Sequence, residues 1–204
     1  MGKVVFNMSM SLDGFVAGPN DSPDNSLGDG GERLFKWYSL GDTGYMVPGG
    51  DRELKLSPDS TRFLKEVGRT VGVIVYGRRT FDIARAWNGR HPMNIPMVIV
   101  THRVPQEWVR EGSPFTFVTD GVESAIEKAG EIAGDRNIAI GSASILQQLL
   151  KVGLLDGIRI DLVPILLGAG IRLFDHLGTG PIELESTGVT VAPGVTHLDF
   201  RVIK

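Results

Sequence analysis

The sequence predicts an α/β fold in three layers: a mostly parallel central sheet, helices on both faces, and an antiparallel hairpin at the C-terminal edge. Three observations predict it. From residue 57 to about residue 152, short β-branched or apolar runs alternate with capped amphipathic segments. That alternation builds parallel sheets through helical crossovers. The C-terminal part changes character: Ile158–Leu167 and the segments near 182–191 and 195–203 read as strands, with Ala192-Pro193-Gly194 as the turn between the last two. The 204 residues are 42% hydrophobic and 22% charged, with no linker and no internal repeat. One domain with a substantial core is expected.

Taken in order, Val4–Ser9 reads as a buried strand beginning almost at the first residue. Residues 18–31 are rich in Gly, Pro, Asn, Asp and Ser and predict a mobile loop, a candidate lid. Glu32–Tyr38 predicts a short helix with Leu34, Phe35 and Tyr38 on one face. Residues 41–56 read as irregular, with Gly49-Gly50-Asp51 as a turn. Ser57-Pro58 starts a helix that runs to about Val67. The serine can accept from an orphan amide, and proline suits the first helical position. Val71–Tyr76 is a β-branched strand, and Gly77-Arg78-Arg79-Thr80 opens the next helix. Pro96–Thr101 and Phe115–Val118 are strands, and Asp120 is expected to cap a helix reaching about Ala133. Asn137–Ile140 is a strand, and Gly141-Ser142 leads into a helix over about Ala143–Val152.

Composition removes several function classes. The formal net charge is −3, from 21 basic and 24 acidic residues, and no basic run occurs. Nucleic acid is therefore not an expected partner. The absence of cysteine excludes disulfides, thiolate–zinc sites and cysteine nucleophiles. His91, His102, His176 and His197 are dispersed, so no metal site is expected. No Gly-x-Ser-x-Gly elbow supports a serine hydrolase. No apolar run approaches the roughly 18 residues of a membrane span, and the first apolar stretch is too short for a signal peptide. A cytoplasmic location is expected.

In open α/β sheets, ligands bind beyond the carboxyl ends of the strands. Three segments sit there. Gly77-Arg78-Arg79-Thr80 joins a helix start to two guanidinium groups and suits phosphate, though a turn with solvated arginines has the same sequence. Gly141-Ser142-Ala143-Ser144 has the small residues that let a pyrophosphate approach the backbone; a tight capped turn reads alike. Thr101-His102-Arg103 offers a hydroxyl, a ring and a guanidinium, or simply ends a strand. Asp24, Asp29 and Glu32 are carboxylates around the early loop and helix, and Asp13 and Glu32 are the catalytic candidates.

Together these segments resemble the dihydrofolate reductase-like superfamily, in the branch containing the reductase domain of riboflavin biosynthesis (the RibD C-terminal domain). The matching pieces are Ser11–Ala17, Gly77–Phe81, Gly141-Ser142-Ala143 and Gly153–Phe174, in family order and over nearly the whole chain. The resemblance implies a dihydrofolate reductase-like fold, an NADPH cofactor, a small heterocyclic substrate and a homodimer. It implies that Val16 and Ala17 pass the nicotinamide, that Gly77, Arg78, Arg79 and Thr80 hold phosphates, that Thr101, His102 and Arg103 lie near the adenosine end, and that Gly141, Ser142, Ala143 and Ser144 pack on the pyrophosphate. The helix carboxylate of the folate reductases is not evident in this sequence; Gly31 or Glu32 falls near its place. The family's usual Gly-Gly is Gly141-Ser142 here, which predicts weaker cofactor binding if residue 142 needs a positive φ. A protein that binds NADPH without reducing anything is the alternative.

Overall fold

The computed structural model describes residues 2–50, 52–178 and 180–204. The chain forms β1 (Val4–Ser11), β2 (Phe15–Ala17), a 3-10 helix (Gly31–Ser39), β3 (Thr43–Met46), β4 (Glu53–Leu56), α1 (Pro58–Thr70), β5 (Val71–Gly77), α2 (Arg78–Ile83), β6 (Met97–Val100), β7 (Phe115–Val118), α3 (Val122–Ala133), β8 (Asn137–Ile140), α4 (Ala143–Lys151), β9 (Gly157–Val163), β10 (Ile171–Arg172), β11 (Leu184–Ala192) and β12 (Val195–Val202). Eight strands form one sheet in the order β11-β12-β9-β1-β8-β5-β6-β7. The six strands from β9 to β7 run parallel, and β12 and β11 add antiparallel pairs at one edge. This is the expected architecture, and the alternation of helix and strand is its cause.

The parallel strands are apolar on both sides because both sides are covered. Val73, Val75, Ile138 and Ile140 pack with Ala125, Ile126, Leu146 and Leu149 of α3 and α4 in one core. On the other side, Leu34, Trp37, Tyr45, Leu54 and Leu56 form a second cluster with Val163 and Val195. Serine 57 caps α1 by accepting from the Ser60 amide, with Pro58 at the first turn, as the sequence predicts.

Four expectations need correction. Residues 41–56 are not irregular: β3 and β4 pair as an antiparallel hairpin whose buried residues alternate in Glu53–Leu56. Glycines 41, 44, 49 and 50 hide that period-2 pattern in the sequence; Asp51, read as part of the turn, lies outside the described residues. Asp120 does not cap α3. Gly121, at φ 107°, holds that position, and the helix begins at Val122. The Glu32–Tyr38 segment is a 3-10 helix that buries Leu34 and Trp37. Three residues per turn stacks positions 34 and 37 directly over one another, so Leu34 and Trp37 are buried together while Phe35 and Tyr38 are only partly buried. The strand expected to reach Leu167 stops at Val163, before Pro164. The chain then bends through Gly168 and Gly170. A Cβ on Gly170 would strike the Ala17 carbonyl, so glycine is what allows this bend to lie against β2.

Candidate functional site

A cavity of about 1320 Å³ lies between α1 and the sheet. An amphipathic helix ordinarily seals its apolar stripe against the core. Helix α1 buries only Ser60 and Thr61, while Phe63, Leu64 and Val67 line the cavity instead. Tyr45, Val47 and Leu54, from the hairpin region, close it. A preformed, largely apolar hollow with a few polar groups is the usual form of a small-molecule site. Asn7, Arg159, Tyr76 and His91 supply polar groups to its wall.

The three segments predicted at strand ends meet beside this cavity, because β8, β5 and β6 are neighbours in the sheet. The Gly77 amide donates to Ser142 Oγ at 2.9 Å, and Thr80 Oγ1 lies 2.7 Å from the same oxygen. Arg78 Nη1 donates to the Arg103 carbonyl at 2.7 Å, while Arg78 Nε is held by Asp82. Thr101 Oγ1 closes the turn by donating to the Arg103 carbonyl at 2.9 Å and accepting from its amide. His102 and Arg103 are exposed at the rim.

Ser142 has φ −137°, so a side chain there carries no backbone strain. The weaker binding expected from replacing a second glycine has no basis in the backbone. Gly141 is different, since a Cβ at 141 would enter the Tyr76 ring. Because Ser142 directs its hydroxyl to Gly77 and Thr80, α4 has no side-chain cap. The first-turn amides of α4 therefore keep their capacity to meet an anion. Together with Arg78, Arg79 and Arg103, that donor set fits the phosphates of a dinucleotide.

The loop at 18–31 reaches over to this cluster. Arg79 pairs with Asp21 at 2.6 Å, and Arg85 pairs with Asp24 and donates to the Pro23 carbonyl. Within the loop, Asp29 accepts from both Asn20 and Asn25. Val16 and Ala17 lie in β2, which leads into this loop; Val16 is buried in the core beneath α3 and α4.

At the cavity wall, Tyr76 Oη is 3.0 Å from His91 Nε2, and His91 Nδ1 accepts from the Met93 amide at 3.1 Å. Trp87 packs on both rings, 4.6 Å from Tyr76 and 5.5 Å from His91. Its backbone is unusual: Arg85, Ala86, Trp87 and Asn88 all have φ between 46° and 52°. Left-handed residues cost about 1–2 kcal/mol each, and such strain concentrates at functional sites. Burial pushes the His91 pKa down to about 4 from 6.5. The unfolded chain then binds a proton between pH 6.5 and 4 that the folded chain refuses. Stability is full above that window and falls through it by roughly 3 kcal/mol. Urea unfolding at pH 7 and pH 4.5 should show this loss, and His91→Gln should remove most of the pH dependence. An equal slope in both proteins would refute the assignment.

A Ser–His–Asp chain absent from any local motif also appears. His197 Nδ1 donates to Asp161 Oδ1 at 2.6 Å, and Ser60 Oγ lies within hydrogen-bond distance of His197 Nε2 at 2.9 Å. Asp161 Oδ2 accepts from Asn7 at 3.0 Å. Ser60 is only 1% exposed and His197 fully buried, so no substrate can reach this serine. The chain ties α1 to β9 and β12.

The two candidate catalytic carboxylates, Asp13 and Glu32, are not among the residues lining the cavity. Asp13 accepts from the Ser11 hydroxyl at 2.6 Å and from the Leu167 and Gly168 amides. The Ser11 hydroxyl and those two amides hold its pKa down to about 2. It stays ionised at neutral pH and clamps the 167–168 turn, which removes it as a proton donor. Glu32 is 65% exposed and lies near Arg33. Sequence reasoning missed Tyr76, His91, Asn7 and Arg159. Tyr76 adjoins the predicted Gly77 segment, but nothing local marks the other three.

Residues 2–198 match the sequence profile of the RibD C-terminal domain. A curated relative, the uncharacterized Bacillus subtilis protein YwjB, is 23% identical over 186 residues, covering 91% of this chain and 90% of its own. A Shewanella sp. PV-4 protein named for riboflavin biosynthesis superposes over the full length of both chains with a TM-score of 0.68 at 22% identity. An Enterococcus faecalis dihydrofolate reductase, solved with NADP(H), gives a TM-score of 0.56 at 14% identity, covering 100% of this chain and 98% of its own. The fold is thus dihydrofolate reductase-like, and the chain belongs to the RibD C-terminal domain family.

Proposed function

We propose that this protein is an NADPH-dependent reductase that transfers a hydride to a C=N or C=O bond of a small heterocycle, pterin-like or ribosylaminopyrimidine-like. The observation that carries the reading is the 1320 Å³ cavity opening beside the cluster of Gly77, Ser142 and Arg78. Bound there, NADPH supplies the hydride, and the protein supplies position. Arg78 and Arg79 bind phosphate, the uncapped α4 amides face the pyrophosphate, and Thr101, His102 and Arg103 take the adenosine end. The apolar walls exclude water and orient the substrate ring. The loop at 18–31 closes the site through Asp21 and Asp24. In the family's manner the protein acts as a cytoplasmic homodimer; the edge strand β11, with Val189 and Val191 exposed, supports a subunit contact.

The test is titration with NADPH and NADH, read by thermal shift, followed by NADPH oxidation over pterins, ribosylaminopyrimidines and carbonyl compounds. NADPH should bind in preference to NADH. Cofactor at about 100 times its Kd should stabilise the fold by roughly 2.7 kcal/mol. Arg78→Ala and Arg79→Ala should each weaken binding roughly tenfold, the loss of one charge-assisted contact. Binding without turnover would favour a sensor, and no binding at millimolar cofactor would end the reductase reading.

A further inference from the structure

We propose that Tyr76 is the hydrogen-bond donor that holds the substrate's acceptor atom, with its hydroxyl oriented by His91. This rests on the reductase reading above and gives that site the polarising group that neither Asp13 nor Glu32 supplies.

The hydrogen positions follow from the geometry. The Met93 backbone amide can only donate, so His91 Nδ1 is an acceptor and the ring proton of the neutral imidazole sits on Nε2. His91 Nε2–H therefore donates to Tyr76 Oη. The phenolic hydrogen of Tyr76 cannot point back at that nitrogen, and it has no acceptor among the described residues. Tyr76 and His91 both line the cavity. A ligand acceptor in that hollow would complete the hydroxyl's bonding.

Position agrees with role. Tyr76 immediately precedes Gly77, and its ring lies on the Gly141 backbone, so the hydroxyl belongs to the strand ends where the cofactor cluster forms. The left-handed turn at 85–88 sets Trp87 against Tyr76 and His91, giving a wall of mutually tilted aromatic rings against which a heterocycle can pack. As the hydride from NADPH adds to the carbon of the C=O or C=N bond, the π pair moves to the heteroatom. Tyr76 O–H stabilises that growing charge, and a proton from solvent joins the heteroatom when the site opens. Burial pushes the Tyr76 pKa well above its ordinary value, so the phenol keeps its proton and donates throughout.

Uracil, a small ring with two carbonyl acceptors, is the probe. It is titrated by calorimetry into the full-length protein, with and without saturating NADP⁺. Tyr76→Phe, which removes only the hydroxyl, should raise the uracil Kd roughly tenfold with NADP⁺ affinity unchanged, and should lower Tm by only a few degrees as His91 Nε2–H loses its acceptor. His91→Ala should lose a similar factor, and His91→Gln, which still offers an N–H, should recover most of it; a purely structural histidine would not show that rescue. Equal uracil affinity in wild type and Tyr76→Phe overturns the proposal, as does no uracil binding to wild type at about 20 mM. Failure of NADP⁺ to bind sinks the dinucleotide reading alone, because the uracil comparison without cofactor still decides the role of Tyr76.

Discussion

His197→Ala should lower stability by about 3–5 kcal/mol, a large part of the 5–15 kcal/mol typical of a folded protein. The ring is fully buried and bonded at both nitrogens. Its removal empties a cavity and leaves the Asp161 carboxylate, 4% exposed, with only Asn7 and a long contact to Arg159 Nε at 3.5 Å. A buried charge stripped of its partner is among the costliest single changes. At roughly 2–4 °C per kcal/mol for a chain of this size, Tm should drop by about 10 °C or more. Ser60→Ala removes two hydrogen bonds of one hydroxyl, with Ser57 and with His197, and should cost only about 1–2 kcal/mol. Calorimetric unfolding measures both. A loss below about 1 kcal/mol for His197→Ala would mean that the chain of bonds does not hold α1 to the sheet.

Gly141→Ala should abolish most activity. One methyl added at 141 enters the space of the Tyr76 ring, which cannot stay where it is. Displacing the ring breaks its bond to His91 and disturbs the wall formed with Trp87. Overpacking of this kind costs about 1–3 kcal/mol in stability. The larger effect falls on function, since misplacing a positioned group by about 1 Å can cost roughly a hundredfold in rate. The double variant Gly141→Ala/Tyr76→Ala should regain stability relative to the sum of its single changes, because the clash is gone. Thermal unfolding of all three variants tests this. Simple additivity would show that Tyr76 and residue 141 do not meet.

The sequence by itself determined whatever depends on neighbours along the chain. Ser57-Pro58 specified a helix start through one hydroxyl and one missing amide. Val71–Gly77 specified a buried strand through unbroken β-branched and apolar residues. The order of such elements specified the parallel sheet, and Gly77–Thr80, Thr101–Arg103 and Gly141–Ser144 were legible as strand-end segments for the same reason. Only the tertiary structure decided which residues face one another across those segments. Ser60 and His197 stand 137 positions apart in sequence and 2.9 Å apart in space. Asp13 reads as a catalytic candidate until the amides of Leu167 and Gly168 are seen to bond to it. His91 reads as an isolated histidine until the Met93 amide is seen to place its proton on Nε2, where Tyr76 Oη accepts the hydrogen bond. Helix and strand signals are local and repeat with a period, so a pattern of residues records them. A hydrogen bond between distant side chains has no period, and it exists only after the core has brought its two ends together.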